Sequence, residues 1–548
     1  MEALDWLVIG VFFLALIGII VWVVRQKQND SADYFLGGRD ATWLAIGASI
    51  FASNIGSEHL IGLAGAGASS GMAMAHWEIQ GWMILILGWV FVPFYTRSMV
   101  YTMPEFLERR YNPQSRTILS VISLVSYVLT KVAVTVYAGG LVFQQVFGIK
   151  ELWGIDFFWI AAIGLVVLTA LYTIFGGMKS VLYTSVLQTP ILLLGSLIIL
   201  VLGFKELGGW DEMMRVCGAV TVNDYGDTMT NLIRSNDDAN FPWLGALIGS
   251  AIIGFWYWCT DQFIVQRVLS GKNEMEARRG TIFGAYLKLL PVFLFLIPGM
   301  IAFALHQKYI GAGGEGFLPM LANGTANADA AFPTLVAKLL PAGVKGLVVC
   351  GILAALMSSL ASLFNSSAML FTIDFYKRFK PETPEKKLVG IGQIATIVIV
   401  VLGILWIPIM RSVGDVLYTY LQDVQSVLAP GIAAAFLLGI CWKRTSARLG
   451  AKVYYSNAGE VADSTFKYLF YDMNWLFFCG WMFLFCIIVV IVVSLATEAP
   501  TAEKIQGLVF GTATKEQKAA TRASWNHWDI IHTVIILAIT AAFYWYFW

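Results

Sequence analysis

Four clusters of polar residues interrupt otherwise apolar stretches of the chain. The first is FASNIGSEHLIG, Phe51 to Gly62, in which Asn54, Ser57, Glu58 and His59 surround Gly56. A glycine flanked by polar side chains can break a helix. A break frees backbone carbonyls that bind a cation, while the side chains face a cavity. The second is HWEIQGW, His76 to Trp82, where Glu78 sits beside Trp77 with Gln80 two residues on. The third is FWYWCTDQFIVQR, Phe255 to Arg267, a run of aromatics leading into Asp261, Gln262 and Arg267. Aromatic faces can cover the C–H face of a sugar and close a cavity to water. Lys288, in GAYLKLLPVF, is a lone cation in an apolar run; Glu78 or a substrate hydroxyl would serve as its partner. The fourth is AALMSSLASLFNSS, Ala354 to Ser367, whose Ser358 and Ser359 with Ala355 offer the hydroxyl and carbonyl oxygens that hard cations want.

Each cluster also has a plain structural reading. The first and fourth could be small-residue helix contacts, with Glu58 snorkelling outward. The second and third could be aromatic anchors at a membrane interface. What favours function is cost: a charge at mid-bilayer is unfavourable by roughly 2.5–3.5 kcal/mol even on lenient scales.

The elements that must hold these clusters are membrane helices. Of 548 residues, 58% are hydrophobic and 13% charged. Many uncharged runs exceed the ~18 residues needed to cross a bilayer as a helix. About thirteen spans are expected, near 6–24, 42–69, 74–97, 115–146, 155–175, 181–203, 243–269, 278–306, 336–375, 388–410, 415–441, 473–497 and 527–548. The 336–375 run carries Pro341 and should be irregular or extend out of the bilayer. The six cysteines form no Cys-x-x-Cys pair and read as small core residues. A net charge of +1 argues against a nucleic-acid partner.

With the N-terminus outside, the inner loops gather Arg97, Arg109, Arg110, Arg116, Lys179, Arg267, Lys272, Arg278, Arg279, Lys377, Arg378 and Lys443, and the outer loops hold few cations. Two features resist this topology. The segment 445–472 has no 20-residue apolar run, and the loop 497–526 falls outside although it carries Lys504, Lys515, Lys518 and Arg522. No zinc-protease motif, channel-filter motif, nucleotide loop or nucleophile arrangement is present.

DYFLGGR (Asp33 to Arg39), SNIGSEH, TMPEF (Thr102 to Phe106), WYWCTDQFIVQR, YLKLLP and LMSSLASLFNSS together resemble the sodium/solute symporter family, in its sodium/glucose cotransporter branch. The likeness runs from about residue 30 to about residue 445. It implies an all-α polytopic membrane protein of the inner or plasma membrane. An extra N-terminal helix (1–30) would precede two inverted five-helix repeats (42–203 and 243–441) with discontinuous first helices. A C-terminal peripheral region (445–548) would add about two more helices.

By the same resemblance, the sugar site falls on Asn54, His59, Glu78, Lys288 and Gln422, with Tyr257 as inner gate hydrogen-bonded to Asn54 and Trp258 as its neighbour. The sodium site would use the carbonyls of Ala52, Ile55 and Ala355 with the hydroxyls of Ser358 and Ser359, joining the first and fourth clusters. The implied activity is sodium-coupled symport of a neutral hexose by alternating access. Sodium is the coupling ion, the lipid bilayer the setting, and no enzymatic cofactor or catalytic residue is expected. Alternatives are symport of another polyol such as myo-inositol, or a sugar-gated ion channel or sensor. The chain departs from the family in three places: Ser185 stands where an Asp is frequent, Gly254 where the branch has Thr or Asn, and no further span is legible after Lys443-Arg444.

Overall fold

The structure is a computed structural model. It describes residues 1–26, 28–56, 58–321, 324–412, 417–445 and 473–548; between 410 and 424 it describes no side chains. In hydrocarbon every backbone N–H and C=O must be satisfied within its own segment, so the apolar runs are helices. Ten among the described residues are long and apolar enough to cross a membrane. The remaining crossings expected from the sequence escape that criterion for local reasons. One long helix crosses twice, and two others are short in their described apolar part.

The first crossing is α1 (Ala3–Val24). The second is split into α2 (Trp43–Asn54) and α3 (Ala64–Ser69), and then come α4 (Gly71–Ser98) and α5 (Pro113–Phe147). The helix α6 (Phe157–Leu207) turns back at Gly177, whose φ of 53° and ψ of −148° an L-residue rarely adopts. A Cβ there would also lie 2.4 Å from the Tyr34 carbonyl oxygen. The second half comprises α7 (Trp243–Thr260), α8 (Gln262–Leu269), α9 (Glu274–Gly311), α10 (Val344–Phe379), α11 (Glu385–Ser412) and α12 (Leu417–Cys441). Pro341 lies before α10 and does not kink it; the helix runs for 36 residues, longer than a bilayer needs, and carries a wide π-type turn at Leu370–Tyr376. Beyond come α13 (Trp475–Leu495), α14 (Lys515–Ala523) and α15 (His527–Tyr546).

The five crossings of the first half begin on the basic face and, being odd in number, deliver the chain to the other. The five of the second half therefore begin on the opposite face. This inverts one half relative to the other. Each half opens with an interrupted helix. At the end of α2, Ile55 is extended (φ −78°, ψ 109°) and the helix resumes as a wide π-type turn at Glu58–Leu63. In α7 the matching wide turn is Phe255–Thr260, after which Asp261 is extended (φ −74°, ψ 127°) and caps α8 by accepting from Phe263 N. Wide turns of this kind frequently mark functional sites. The first interrupted crossing is pressed onto α9: a Cβ on Gly67 would lie 2.2 Å from Leu296 O, and one on Gly299 1.9 Å from Ala64 O.

The C-terminal region corrects the topology drawn from the sequence. Asn474, before α13, donates to Ala239 O (2.7 Å) in the outer loop, whereas Arg444 reaches Leu495 O at the far end. The following loop lies on the basic face. Lys504 donates to Tyr111 O, Arg97 donates to Thr521 Oγ1 (2.6 Å), Arg278 donates to Ser524 Oγ, and Phe510 N donates to Ile440 O (2.9 Å). The cations of 497–526 thus join the other inner-loop cations instead of facing outward. The helix α15 then ends on the opposite face, where Leu232 N donates to Phe547 O (3.0 Å). The segment 446–472 lies outside the described residues.

A second correction concerns Arg267. Charge counting placed it in a loop, but it is fully buried in α8, its Nε donating to Ser53 Oγ (3.2 Å).

Candidate functional site

The interruption at Ile55 leaves the carbonyls of the last turn of α2 without the N–H groups that a continuous helix would supply. Opposite them lies α10. Ser359 Oγ donates to Ser53 O (2.8 Å) and Ile55 O (3.2 Å). Ser358 Oγ lies 3.3 Å from Ser185 Oγ, which in turn reaches Ser49 Oγ at 3.4 Å. Ala52 and Ala355 are both buried, on the helices α2 and α10, which pack against each other. The first and fourth polar clusters, some 300 residues apart, therefore form one oxygen-rich spot. It suits a hard monovalent cation, since its donors are neutral carbonyl and hydroxyl oxygens. Ser185, the departure noted in the sequence, contributes a hydroxyl to this spot and no carboxylate.

Beside it is a cavity of about 70 Å³ lined by Asn54, Glu58, His59, Trp77, Glu78, Gln80, Gly254, Tyr257, Trp258, Lys288 and Gln425, among others. A continuous polar chain crosses its wall. Lys288 Nζ pairs with Glu78 Oε2 at 2.6 Å and donates to Asn54 Oδ1 at 3.1 Å; Asn54 Nδ2 donates to the Tyr257 hydroxyl at 3.2 Å. Lys288 also sits 5.4 Å above the Trp258 ring. His59 Nε2 approaches Glu78 Oε2 to 3.3 Å, and neither of its ring nitrogens has a hydrogen-bond partner among the described residues. Carboxylate, ammonium, amide and imidazole thus converge on one space, with Trp258 and Tyr257 as apolar walls. Together they can accept from and donate to several hydroxyls of one small ligand.

Six of the seven residues expected at the sugar site (Asn54, His59, Glu78, Tyr257, Trp258 and Lys288) line this cavity. The side chain of Gln422 lies outside the described residues. The structure adds residues that the sequence reading did not assign to the site. Gln425 lines this cavity and a second one of about 50 Å³, which also contacts Ser359. It lies one helical turn beyond Gln422, and that spacing could have marked it. Gln80 fills the place that Gly254 leaves empty: a Cβ at Gly254 would meet its Oε1 at 2.4 Å. Glu58 lines both cavities, so it does not snorkel outward. Lys131 borders the second cavity; it was legible as a lone cation inside an apolar run, the same signal that marked Lys288.

Comparison with known proteins gives this arrangement a family. The model of the sodium:solute symporter family matches residues 34–453. The mouse sodium/myo-inositol cotransporter 2 is 35% identical over 93% of this chain and 80% of its own length. The dog sodium/myo-inositol cotransporter is 36% identical over 93% of this chain and 76% of its own. Among solved structures, a Na⁺-coupled sialic acid symporter in a substrate-bound outward-open state superposes with a TM-score of 0.73. It covers 91% of this chain and 99% of that one at 22% identity, a likeness of fold with two inverted repeats. The chain belongs to the sodium:solute symporter family and is a multi-pass, sodium-coupled membrane transporter, not an enzyme.

Proposed function

We propose that the chain carries a neutral cyclic polyol of the myo-inositol kind across the membrane together with sodium. The observation that carries this reading is the single connected wall Glu78–Lys288–Asn54–Tyr257, set directly beside the Ile55 break and Ser359. myo-Inositol bears a hydroxyl on every ring carbon, so it needs donors and acceptors all round. Gln80 and Gln425 add two amides to the groups expected from the sequence. The two relatives compared above, both named as myo-inositol cotransporters, put a polyol ahead of the hexose that the branch resemblance suggested. A hexose is the second reading, favoured by the resemblance of SNIGSEH and WYWCTDQFIVQR to the sodium/glucose branch.

In this mechanism sodium binds the carbonyls of Ala52, Ile55 and Ala355 and the hydroxyls of Ser358 and Ser359. Occupying the break orders Asn54, which carries the cation's effect to the polyol site. Asn54, His59, Glu78, Lys288 and Gln422 hold the substrate, and Tyr257 with Trp258 forms the inner gate. The repeats, divided as 42–203 and 243–441, rock about the site between the 1–30 helix and the 445–548 region. Sodium drives transport only through its different affinity for the two states. One charge crossing 100 mV supplies ~2.3 kcal/mol and a tenfold sodium gradient adds ~1.4 kcal/mol, enough together for roughly 500-fold accumulation per sodium. The test is uptake of labelled myo-inositol and glucose by proteoliposomes with and without a sodium gradient. Sodium-driven accumulation of myo-inositol, competed weakly by glucose, supports the reading.

A further inference from the structure

The second cavity is bounded by a charge pair that the transport cycle above does not use. Lys131 lies in a wide turn of α5 (Tyr127–Val132), and its Nζ pairs with Asp261 Oδ2 at 2.6 Å. Asp261 is the extended residue at the break of the second interrupted helix. It also accepts from the Tyr127 hydroxyl and from Phe263 N (3.2 Å). The ammonium is ringed by aromatics: Nζ lies 5.1 Å from the Tyr127 centroid, 5.3 Å from Trp256, 5.0 Å from Tyr257 and 5.0 Å from Phe263. Tyr257 is therefore held at two ends. Its hydroxyl is bound by Asn54 of the first interrupted helix, and its ring lies against a cation anchored on α5.

We propose that Lys131 and Asp261 are positioning residues for the inner gate: the pair holds Tyr257 shut until both cargo sites are filled, and so keeps sodium and substrate from slipping through separately. The inference rests on the symport reading. The geometry supports it in three ways. Lys131 and Asp261 belong to opposite halves of the inverted architecture, so their contact spans the seam along which the halves must move. An ammonium held against a ring face is directional, and Tyr257 cannot swing from the cavity without leaving it. The Lys131 ammonium borders a cavity that Ser359, Glu58 and Tyr257 also line, so it shares one space with the cation spot and the gate.

The experiment compares wild type with Lys131→Gln and Asp261→Asn in proteoliposomes, where Asn keeps the volume and the capping role of Asp261. Three quantities are read: efflux of preloaded labelled myo-inositol without sodium, equilibrium substrate binding at saturating sodium, and backbone hydrogen exchange over residues 255–263. The proposal expects each variant to raise sodium-independent efflux at least about tenfold, with binding changed by less than about threefold. Exchange over 255–263 should be faster, while exchange over α11 stays unchanged. Transport and binding that fall in parallel, with leak and exchange as in wild type, would show a purely structural pair and overturn the proposal. If wild-type vesicles accumulate no polyol, the symport reading fails, and the exchange arm still decides whether the pair restrains the gate segment.

Discussion

The Ser359 hydroxyl donates to the Ile55 carbonyl across 3.2 Å, so the break in one helix is closed by a side chain of another. That contact makes the cation spot a joint product of the two inverted halves. A ligand that draws α2 and α10 together also reshapes Asn54, the residue next to Ile55 and a member of the polyol wall.

Ser359→Ala removes the hydroxyl but keeps the helix. It should raise the sodium concentration for half-maximal uptake by about tenfold or more, in line with ~1.5–3 kcal/mol for a hydrogen-bonding oxygen lost to a charged partner. Substrate affinity at saturating sodium should change little. Uptake measured over a sodium titration checks this, and an unmoved half-saturation would remove Ser359 from the site.

Glu78 and Lys288 are both buried, with side chains 5% and 4% exposed, so removing one leaves the other uncompensated. Glu78→Gln or Lys288→Met should each abolish substrate binding and destabilise the protein by about 3–5 kcal/mol. The double variant should be more stable than the sum of the singles implies. Thermal unfolding in detergent and equilibrium binding of labelled myo-inositol read both effects; additive losses would contradict a coupled pair.

Gly254 is small so that Gln80 can occupy its place. Gly254→Thr must expel that amide and should shift the ratio of myo-inositol to glucose affinity by up to about tenfold towards glucose, the net worth of one neutral hydrogen bond. Competition uptake with both sugars measures the ratio. An unchanged ratio would show that Gln80 takes no part in selectivity.

Arg110 is buried, and its guanidinium donates to Gly439 O (2.6 Å), Trp442 O (3.0 Å) and Thr445 O (3.0 Å), satisfying carbonyls at the end of α12. Orphan C-terminal carbonyls favour a cation, and each charged hydrogen bond contributes about 1.5–3 kcal/mol. Arg110→Ala should lower the thermal midpoint by several degrees or more without changing substrate selectivity. A stable variant with altered selectivity would place Arg110 elsewhere in the mechanism.

The polar clusters were legible because lipid makes each one costly, and that cost singled out Asn54, Glu78, Lys288, Ser358 and Ser359 without any contact being known. Which cluster meets which was not legible from periodicity. Ser359 and Ile55 are joined by tertiary packing that no local pattern encodes. Gly177 hid a tight reversal within continuous helix propensity. Counting spans from long apolar runs alone puts the loop 497–526 on the outer face; its cations are the correct signal, as the bond of Lys504 to Tyr111 and those of Thr521 with Glu274 and Arg97 show. Gln425 and Gln422 lie one turn apart on the same helix, and no local pattern separates them. Lys131 carries the same signal as Lys288, a lone cation in an apolar run, while its pairing with Asp261, 130 residues distant, is set by tertiary packing alone.

The central claim is thermodynamic coupling between a cation at the Ile55 break and a polyol at the Glu78–Lys288 wall. Its most direct measurement is the steady-state ratio of internal to external labelled myo-inositol in proteoliposomes given an inward sodium gradient. The account predicts a ratio well above one that collapses when a sodium ionophore is added and that never forms with potassium. A ratio of one under all three conditions would contradict it.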